Sequence, residues 1–429
     1  MLVRQVGRWS HFYSYHFNLI PKYPVKSILK NYTTIANDEL PYTKIHTPVM
    51  LSEVLTHLAP EPGKIYCDLT FGDGGYTKAI LDSCDCKVVA VDQDPTAYEK
   101  ALQLAATPDY KGRLFPLLSK FGQIDSAVKK NFDWSFPCFD GMVMDIGVSS
   151  GQIETASRGF SYKLDGPLDM RMCSRGKDAP SSSSEEFTFE DEARLMRKSI
   201  SAYELVNFYS REQIADIIYK YGGDRLSRKI AAAIVDARQK APIETTGELA
   251  AIVQKTCPQP RWQRGDDDML RNSAARTFQA LRIYINDELA ELESALRSSE
   301  YLLRPQGRLV VVSFHSLEDR IAKNFLYHCA GKRSTQEAET NQFSLKRAAN
   351  REFRKATRNN YDADVLLKQP SGQVLHKHSV VPSFELKSKS VVQASKEETA
   401  VNSRSRSAKL RVGQRTMAEP LSPFGPLDL

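Results

Sequence analysis

No stretch of this 429-residue chain is apolar for the length of a bilayer, so no membrane-spanning helix is expected. The seven cysteines form no CxxC pair, and Cys84 and Cys86 stand too close together for an ordinary zinc clip. His376 and His378 have a spacing seen in metal sites but no third ligand nearby, so reduced thiols and no metal centre are expected. Acidic residues are missing altogether before Asp38, whereas Arg4, Arg8, Lys22, Lys26 and Lys30 all fall in that leader. A basic, acid-free leader rich in Ser, Tyr and Phe, with no long apolar centre, has the make-up of a mitochondrial transit peptide over residues 1–37. That predicts a mitochondrial matrix protein; the alternative is the basic tail of a cytosolic one. The formal net charge of +7 owes most of its excess to the same leader, so any argument for a nucleic-acid partner must rest on local patches.

With 41% hydrophobic residues the chain can bury a full core. The run Ile65-Tyr-Cys-Asp68-Leu-Thr-Phe-Gly72-Asp-Gly74-Gly75-Tyr76-Thr77 reads as a buried strand, a glycine-rich turn and a helix start. Gly72, Gly74 and Gly75 permit positive φ and let a ligand approach bare backbone. Next, Lys87 to Val91 forms a second strand that ends in Asp92, about 18 residues after Gly74, where an acid in a nucleotide-binding βαβ unit reaches ribose hydroxyls. The G-x-G-G pattern departs from the dinucleotide fingerprint, which disfavours a dinucleotide, while the acid ending the second strand points to an adenosine-bearing ligand, with S-adenosylmethionine and NAD both open; the alternative is a plain tight turn.

Further strands are expected at Arg113 to Leu118, Gly141 to Ile146 and Arg308 to Phe314, with helices between them, which predicts a doubly wound α/β sheet. Residues 38–150 form its first part. Residues 151–270 hold a polar substrate loop, a mobile insertion from Cys173 to Ser199 and an all-helical subdomain without strands. The α/β core resumes over 271–330 with one long helix from Ala274 to about Leu303. A polar, basic insertion follows at 331–372. Residues 373–415 complete the core, with a strand at Arg404 to Val412, and everything after Gly413 is expected to be loose, including the tail 416–429.

Several longer motifs occur in order: His46-Thr-Pro-Val-Met-Leu51, Asp68 to Gly75, Val91-Asp-Gln-Asp-Pro95, Asp145-Ile-Gly-Val-Ser-Ser150, Arg158-Gly-Phe160 and Asp165 to Met172. Arg276 to Arg282, Ser313-Phe-His-Ser-Leu-Glu-Asp-Arg320 and Arg406 to Arg411 complete the set. In these the chain resembles the MraW/RsmH family of small-subunit rRNA cytosine-N4 methyltransferases, most of all its mitochondrial members. The resemblance implies a Rossmann-like class I methyltransferase with S-adenosylmethionine as methyl donor, contacted by Gly74, Gly75, Tyr76, Asp92, Phe121, Asp145 and Gln152. It also implies N4-methylation of a cytidine in small-subunit rRNA, in support of ribosome assembly and mitochondrial translation. Two departures stand out: Tyr76 replaces the family's usual histidine, and the Cys173 to Ser199 segment exceeds the usual spacing.

The N4 amine of cytosine needs its lone pair drawn out of the ring and aimed. Asp145, at the end of the fourth strand, suits a catalytic contact to that amine and equally a cofactor contact. Ser149 and Ser150 suit the base edge. His315 at a strand end suits base contact or proton removal, unless it belongs only to the cap of the following helix. Arg171 suits a phosphate, unless it pairs internally with Asp169. Basic groups for RNA are Arg225, Arg228 and Lys229, then Arg261, Arg264, Arg271 and Arg276, then the cluster from Lys346 to Arg358. The expected partner is small-subunit rRNA or an assembling mitochondrial small ribosomal subunit, with a homodimer also to be tested. A second reading is an rRNA-binding assembly factor that has lost catalysis, suggested by Tyr76; a third is an NAD-dependent dehydrogenase.

Overall fold

Alternating side chains on short Val-rich strands are buried on both faces, which forces helices onto both sides of the sheet. A computed structural model describes residues 48–174, 200–257, 273–332, 381–388 and 390–421. In chain order its first half comprises α1 (Leu51–Leu58), β1 (Ile65–Asp68), α2 (Gly75–Ser83), β2 (Lys87–Asp92), α3 (Pro95–Ala105), β3 (Leu114–Leu118), α4 (Ile124–Asn131), β4 (Phe139–Asp145) and α5 (Ser150–Glu154). A helical insert follows, with α6 (Ala202–Phe208), α7 (Arg211–Gly222), α8 (Ser227–Arg238), α9 (Thr246–Thr256) and α10 (Ser273–Ile285). The sheet is completed by α11 (Glu288–Leu302), β5 (Leu303–Ser313), α12 (Ser316–Cys329), β6 (Phe384–Leu386), β7 (Val392–Gln393), α13 (Lys396–Val401) and β8 (Lys409–Arg415).

The eight-stranded sheet runs β3-β2-β1-β4-β5-β8-β6, with β7 also paired to β8. Strands β1 to β5 are mutually parallel, whereas β8 is antiparallel to both β5 and β6. Tyr66, Val88, Ala90, Val143, Val310 and Val312 face α1 and α2 in one core. Cys67, Val89, Val91, Met142, Met144 and Val311 face α4, α11 and α12 in the other. Each of the valines and methionines among them contributes about 1.5–3 kcal/mol on burial. The doubly wound sheet expected from the sequence is therefore present.

Three expectations need correction. The long helix after Ala274 is two helices, because Asp287 takes a left-handed conformation (φ 51°) that ends the first turn pattern and restarts it. That break frees Asn286 to bond the Met170 carbonyl (2.8 Å) and the Met172 amide (2.8 Å). Second, α10 packs with Ile214, Ile218, Ile230, Ile234 and Val253, so it belongs to the core of the helical insert rather than to the α/β core. Third, the last strand starts at Lys409, after a 3₁₀ turn over Ser403–Ser407, and continues past Gly413 to Arg415. Arg415 is held there because its buried guanidinium donates to the carbonyls of Glu300 (2.8 Å) and Ser383 (3.0 Å).

The leader, His46, the insertion beyond Ser174, Arg261, Arg264, Arg271, the Lys346 to Arg358 cluster, His376 and His378 lie outside the described residues. Among the described residues no helix is long and apolar enough to cross a membrane.

Candidate active site

The connections from β1 and β4 leave in opposite directions across the sheet, and open α/β sheets bind ligands at such a switch point, beyond the carboxyl ends of their strands. The glycine turn after β1 lies on one side of it and the Asp145 to Ser150 loop on the other. Gly74 has φ 80° as the residue before α2, a conformation glycine adopts without strain. Gly75 differs from expectation: it needs no positive φ, but a Cβ there would stand 2.1 Å from Pro48 Cγ. Its role is close packing of α2 under the turn.

Three carboxylates end adjacent strands β2, β1 and β4, and none makes an ion pair among the described residues. Asp92 accepts backbone N–H bonds from Gly72 at Oδ2 (2.8 Å) and from Asp94 at Oδ1 (2.9 Å). Burial, then the neighbouring Asp94, pushes its carboxyl up to about 7. Asp68 is fully buried, accepts from Thr77 Oγ1 (2.7 Å) and the Thr70 amide (3.1 Å), and is raised by burial to about 6. Asp145 is held well above the usual carboxylate range by burial, then by Asp68 and Glu318. Its Oδ1 is buried with no hydrogen-bond partner, while its amide donates to Thr70 Oγ1 at 2.7 Å. Asp68 and Thr70 were not among the site residues read from the sequence; the signal available was an acid ending a strand that carries a glycine turn.

The other expected cofactor contacts have structural duties. The Tyr76 hydroxyl donates to the Val49 carbonyl, tying α2 to the chain before α1, and the ring is buried. Phe121 opens a 3₁₀ turn after β3 and is 9% exposed. Ser149 and Gln152 form a capping box on α5, where Gln152 Oε1 accepts from the Ser149 amide (3.1 Å) and Ser149 Oγ from the Gln152 amide (3.2 Å). The Gln152 amide nitrogen also donates to Asp94 Oδ2 at 2.9 Å. Ser150 Oγ accepts from Arg404.

His315 is the N-cap residue of α12. Its Nδ1 accepts from the Glu318 amide (3.5 Å), and Glu318 Oε2 accepts from the amides of Phe314 (2.8 Å) and His315 (3.2 Å). Its Nε2 lies 2.7 Å from Glu318 Oε1, although neither atom has an aligned hydrogen bond. Arg171 is ion-paired with Asp169, the internal alternative to a phosphate contact. Arg225 and Arg228 are exposed at the entry to α8 and on its first turn, on the helical insert rather than at the sheet edge. Among the described residues there is no group of His, Cys, Asp and Glu fit to hold a metal ion.

A glycine turn at the strand ends, an acid ending β2 and a buried acceptor without a donor at the end of β4 suit a nucleoside-bearing cation such as S-adenosylmethionine. Together with the sheet order they define the Rossmann-like, S-adenosylmethionine-dependent methyltransferase class. A model of the MraW methylase family matches residues 43–187 and 181–359, and the chain belongs to that family. It is 41% identical over 382 residues to ribosomal RNA small subunit methyltransferase H of Xanthobacter autotrophicus, covering 89% of this chain and 90% of that protein. The protein of the same name in Granulibacter bethesdensis is 47% identical over 290 residues, covering 67% and 76% of the two chains. Among solved structures, geranyl diphosphate methyltransferase in complex with SAM overlaps at a TM-score of 0.29 and 9% identity, over 85% of this chain and 84% of that one, too slight a likeness to add to the assignment. S-adenosylmethionine is the cofactor.

Proposed function

We propose that this enzyme methylates N4 of a cytidine in mitochondrial small-subunit rRNA and thereby supports assembly of the small ribosomal subunit and mitochondrial translation. The substrate class is carried by relatives named for the small-subunit RNA, and the compartment by the acid-free basic leader. The observation that carries the chemistry is the buried, unpartnered Asp145 Oδ1 at the end of β4, an acceptor waiting for a donor. When bound, the cofactor supplies an electrophilic methyl group on a sulfonium centre. Asp145, ionised beside the cationic methyl donor, accepts an N–H of the target amine, favours a pyramidal nitrogen, fixes its direction and takes up the proton that the amine gives up as the methyl–sulfur bond breaks; such positioning is worth up to about 7–11 kcal/mol of barrier. His315 and Glu318, bonded into the start of α12, form the wall behind it rather than a mobile base. The target base must leave its stack to reach a site at this depth, which suits an opened loop or junction. Exposed Arg225 and Arg228 supply phosphate contacts on the approach.

Nucleosides from mitochondrial small-subunit rRNA, analysed by mass spectrometry, test the proposal in cells with the protein, without it, and with Asp145→Asn. Loss of N4-methylcytidine in both altered cells is expected; persistence of the mark without the protein would give first place to a binding factor that has lost catalysis. A fluorescent fusion lacking residues 1–37 should fail to enter mitochondria, and retained import would refute the leader reading.

A further inference from the structure

The helical insert and the sheet are separate hydrophobic units, and where the loop after α5 meets the residues following β2 two buried polar side chains cross: the Arg158 guanidinium and Gln93, whose Nε2 donates to Met172 Sδ at 3.2 Å. Phe160, Leu168, Met170 and Met172 of the loop after α5 pack into the core of the insert, not into either sheet core. Arg158, 4% exposed, reaches from this loop to the residues following β2: its Nη1 donates to Asp94 Oδ2 at 2.7 Å. Through Nη2 the same side chain donates to the carbonyls of Arg171 (3.3 Å) and Met172 (3.2 Å), and its carbon lies 5.7 Å from the Phe160 ring centre. The Arg158 carbonyl accepts from the amide of Met170, a residue held at φ 61°. On the other side, the Asp94 amide donates to Asp92.

We propose that Arg158 is a positioning residue for methyl transfer, setting the loop of residues 165–172 at a fixed distance from Asp92 and thus the incoming base from the methyl donor. A buried ion pair is a poor source of stability compared with well-packed apolar side chains, so its presence at this junction calls for another purpose. The planar fork meets a carboxylate and two carbonyls at once. Lysine carries its three donors on one nitrogen, without the spread of the fork, so it can reach Asp94 or the carbonyls but not both. A glutamine at 152 shares Asp94 Oδ2 (2.9 Å), which keeps that carboxylate aimed even when Arg158 is changed.

This role rests on the methyltransferase reading above, but its first readout needs no RNA. Hydrogen exchange of the full chain with and without S-adenosylhomocysteine should show added protection at the glycine turn and at residues 165–172. In Arg158→Lys the protection at the turn should remain and that at 165–172 should disappear, with cofactor affinity within threefold of wild type. With rRNA substrate, kcat should fall about 100-fold, the loss a displacement of about 1 Å produces, while the KM for S-adenosylmethionine stays the same. Asp94→Asn provides a second variant: its one amide oxygen must choose between the Thr96 amide, which Asp94 Oδ1 caps at 2.9 Å, and the Arg158 side, so it should lose part of the loop protection as well. A wild-type chain whose loop does not respond to cofactor, or variants that respond as wild type does, would overturn the proposal. Absence of RNA methylation in the wild type would instead overturn the substrate reading and leave the exchange result standing.

Discussion

Cofactor binding should tighten about tenfold between pH 6 and pH 8, and Asp92 is the reason. With its carboxyl pushed up to about 7 by burial and by Asp94, roughly one chain in ten carries it ionised at pH 6 and nine in ten at pH 8. Ribose hydroxyls donate to the ionised form, so binding releases a proton across this window. The stability of the free protein moves the other way. Because the folded carboxyl sits above its ordinary 3.8, the folded state holds more protons between about 4 and 7. Stability is lost as pH rises through that range, by at most about 4 kcal/mol. Titration calorimetry in buffers of different ionisation enthalpy measures both affinity and released protons. Asp92→Asn should flatten the pH dependence and weaken binding by about 10- to 150-fold, the worth of one charged hydrogen bond. Affinity that is constant or falls from pH 6 to 8 in the wild type, or an unchanged affinity in Asp92→Asn, would refute the assignment.

Tyr76→Phe should lower stability by about 1 kcal/mol through loss of the Val49 contact and leave cofactor affinity unchanged, as melting and calorimetry would report; a large loss of affinity would restore Tyr76 to the cofactor. Thr77→Val leaves Asp68 Oδ2 without its 2.7 Å donor and should cost about 1–3 kcal/mol by denaturant unfolding. Gly75→Ala places a methyl 2.1 Å from Pro48 Cγ and should cost about 1–3 kcal/mol, with the damage at the start of α2 visible by hydrogen exchange. Charge reversal at Arg225 and Arg228 should weaken RNA binding and flatten its salt dependence; unchanged filter binding across salt concentrations would remove them from the interface.

Strands β2 and β5 were legible because continuous Val-rich runs leave little other choice, β1 and β4 because short apolar runs end in an acid ahead of a glycine-bearing loop, and Asp92 was legible from its distance to the glycine turn. Asp68 was hidden in plain view: an acid ending a strand reads as a turn residue until Thr77 is seen bonding it across nine positions. The break between α10 and α11 was not legible, since Asn286-Asp287 sits in helical periodicity and only the tertiary demand of Met170 and Met172 for the Asn286 side chain explains it. Gln152 was named through the family resemblance and His315 through its place at a strand end, with the helix cap as its alternative; both do take part in caps, with Ser149 and Glu318. Arg158 was visible as part of a motif, but a contact to Asp94, 64 residues earlier, has no local trace.

The placement of β8 between β5 and β6 gives the order of synthesis a consequence. When residues up to Cys329 have left the ribosome, β5 has a bare edge where Ser313 and Arg308 await Lys409 and Gln414. That edge stays open for about 80 further residues, a span in which a nascent chain needs shielding from edge-to-edge association. A message truncated before codon 409 thus removes an interior strand rather than a tail, and its product should be cleared as misfolded instead of accumulating as a weakened enzyme.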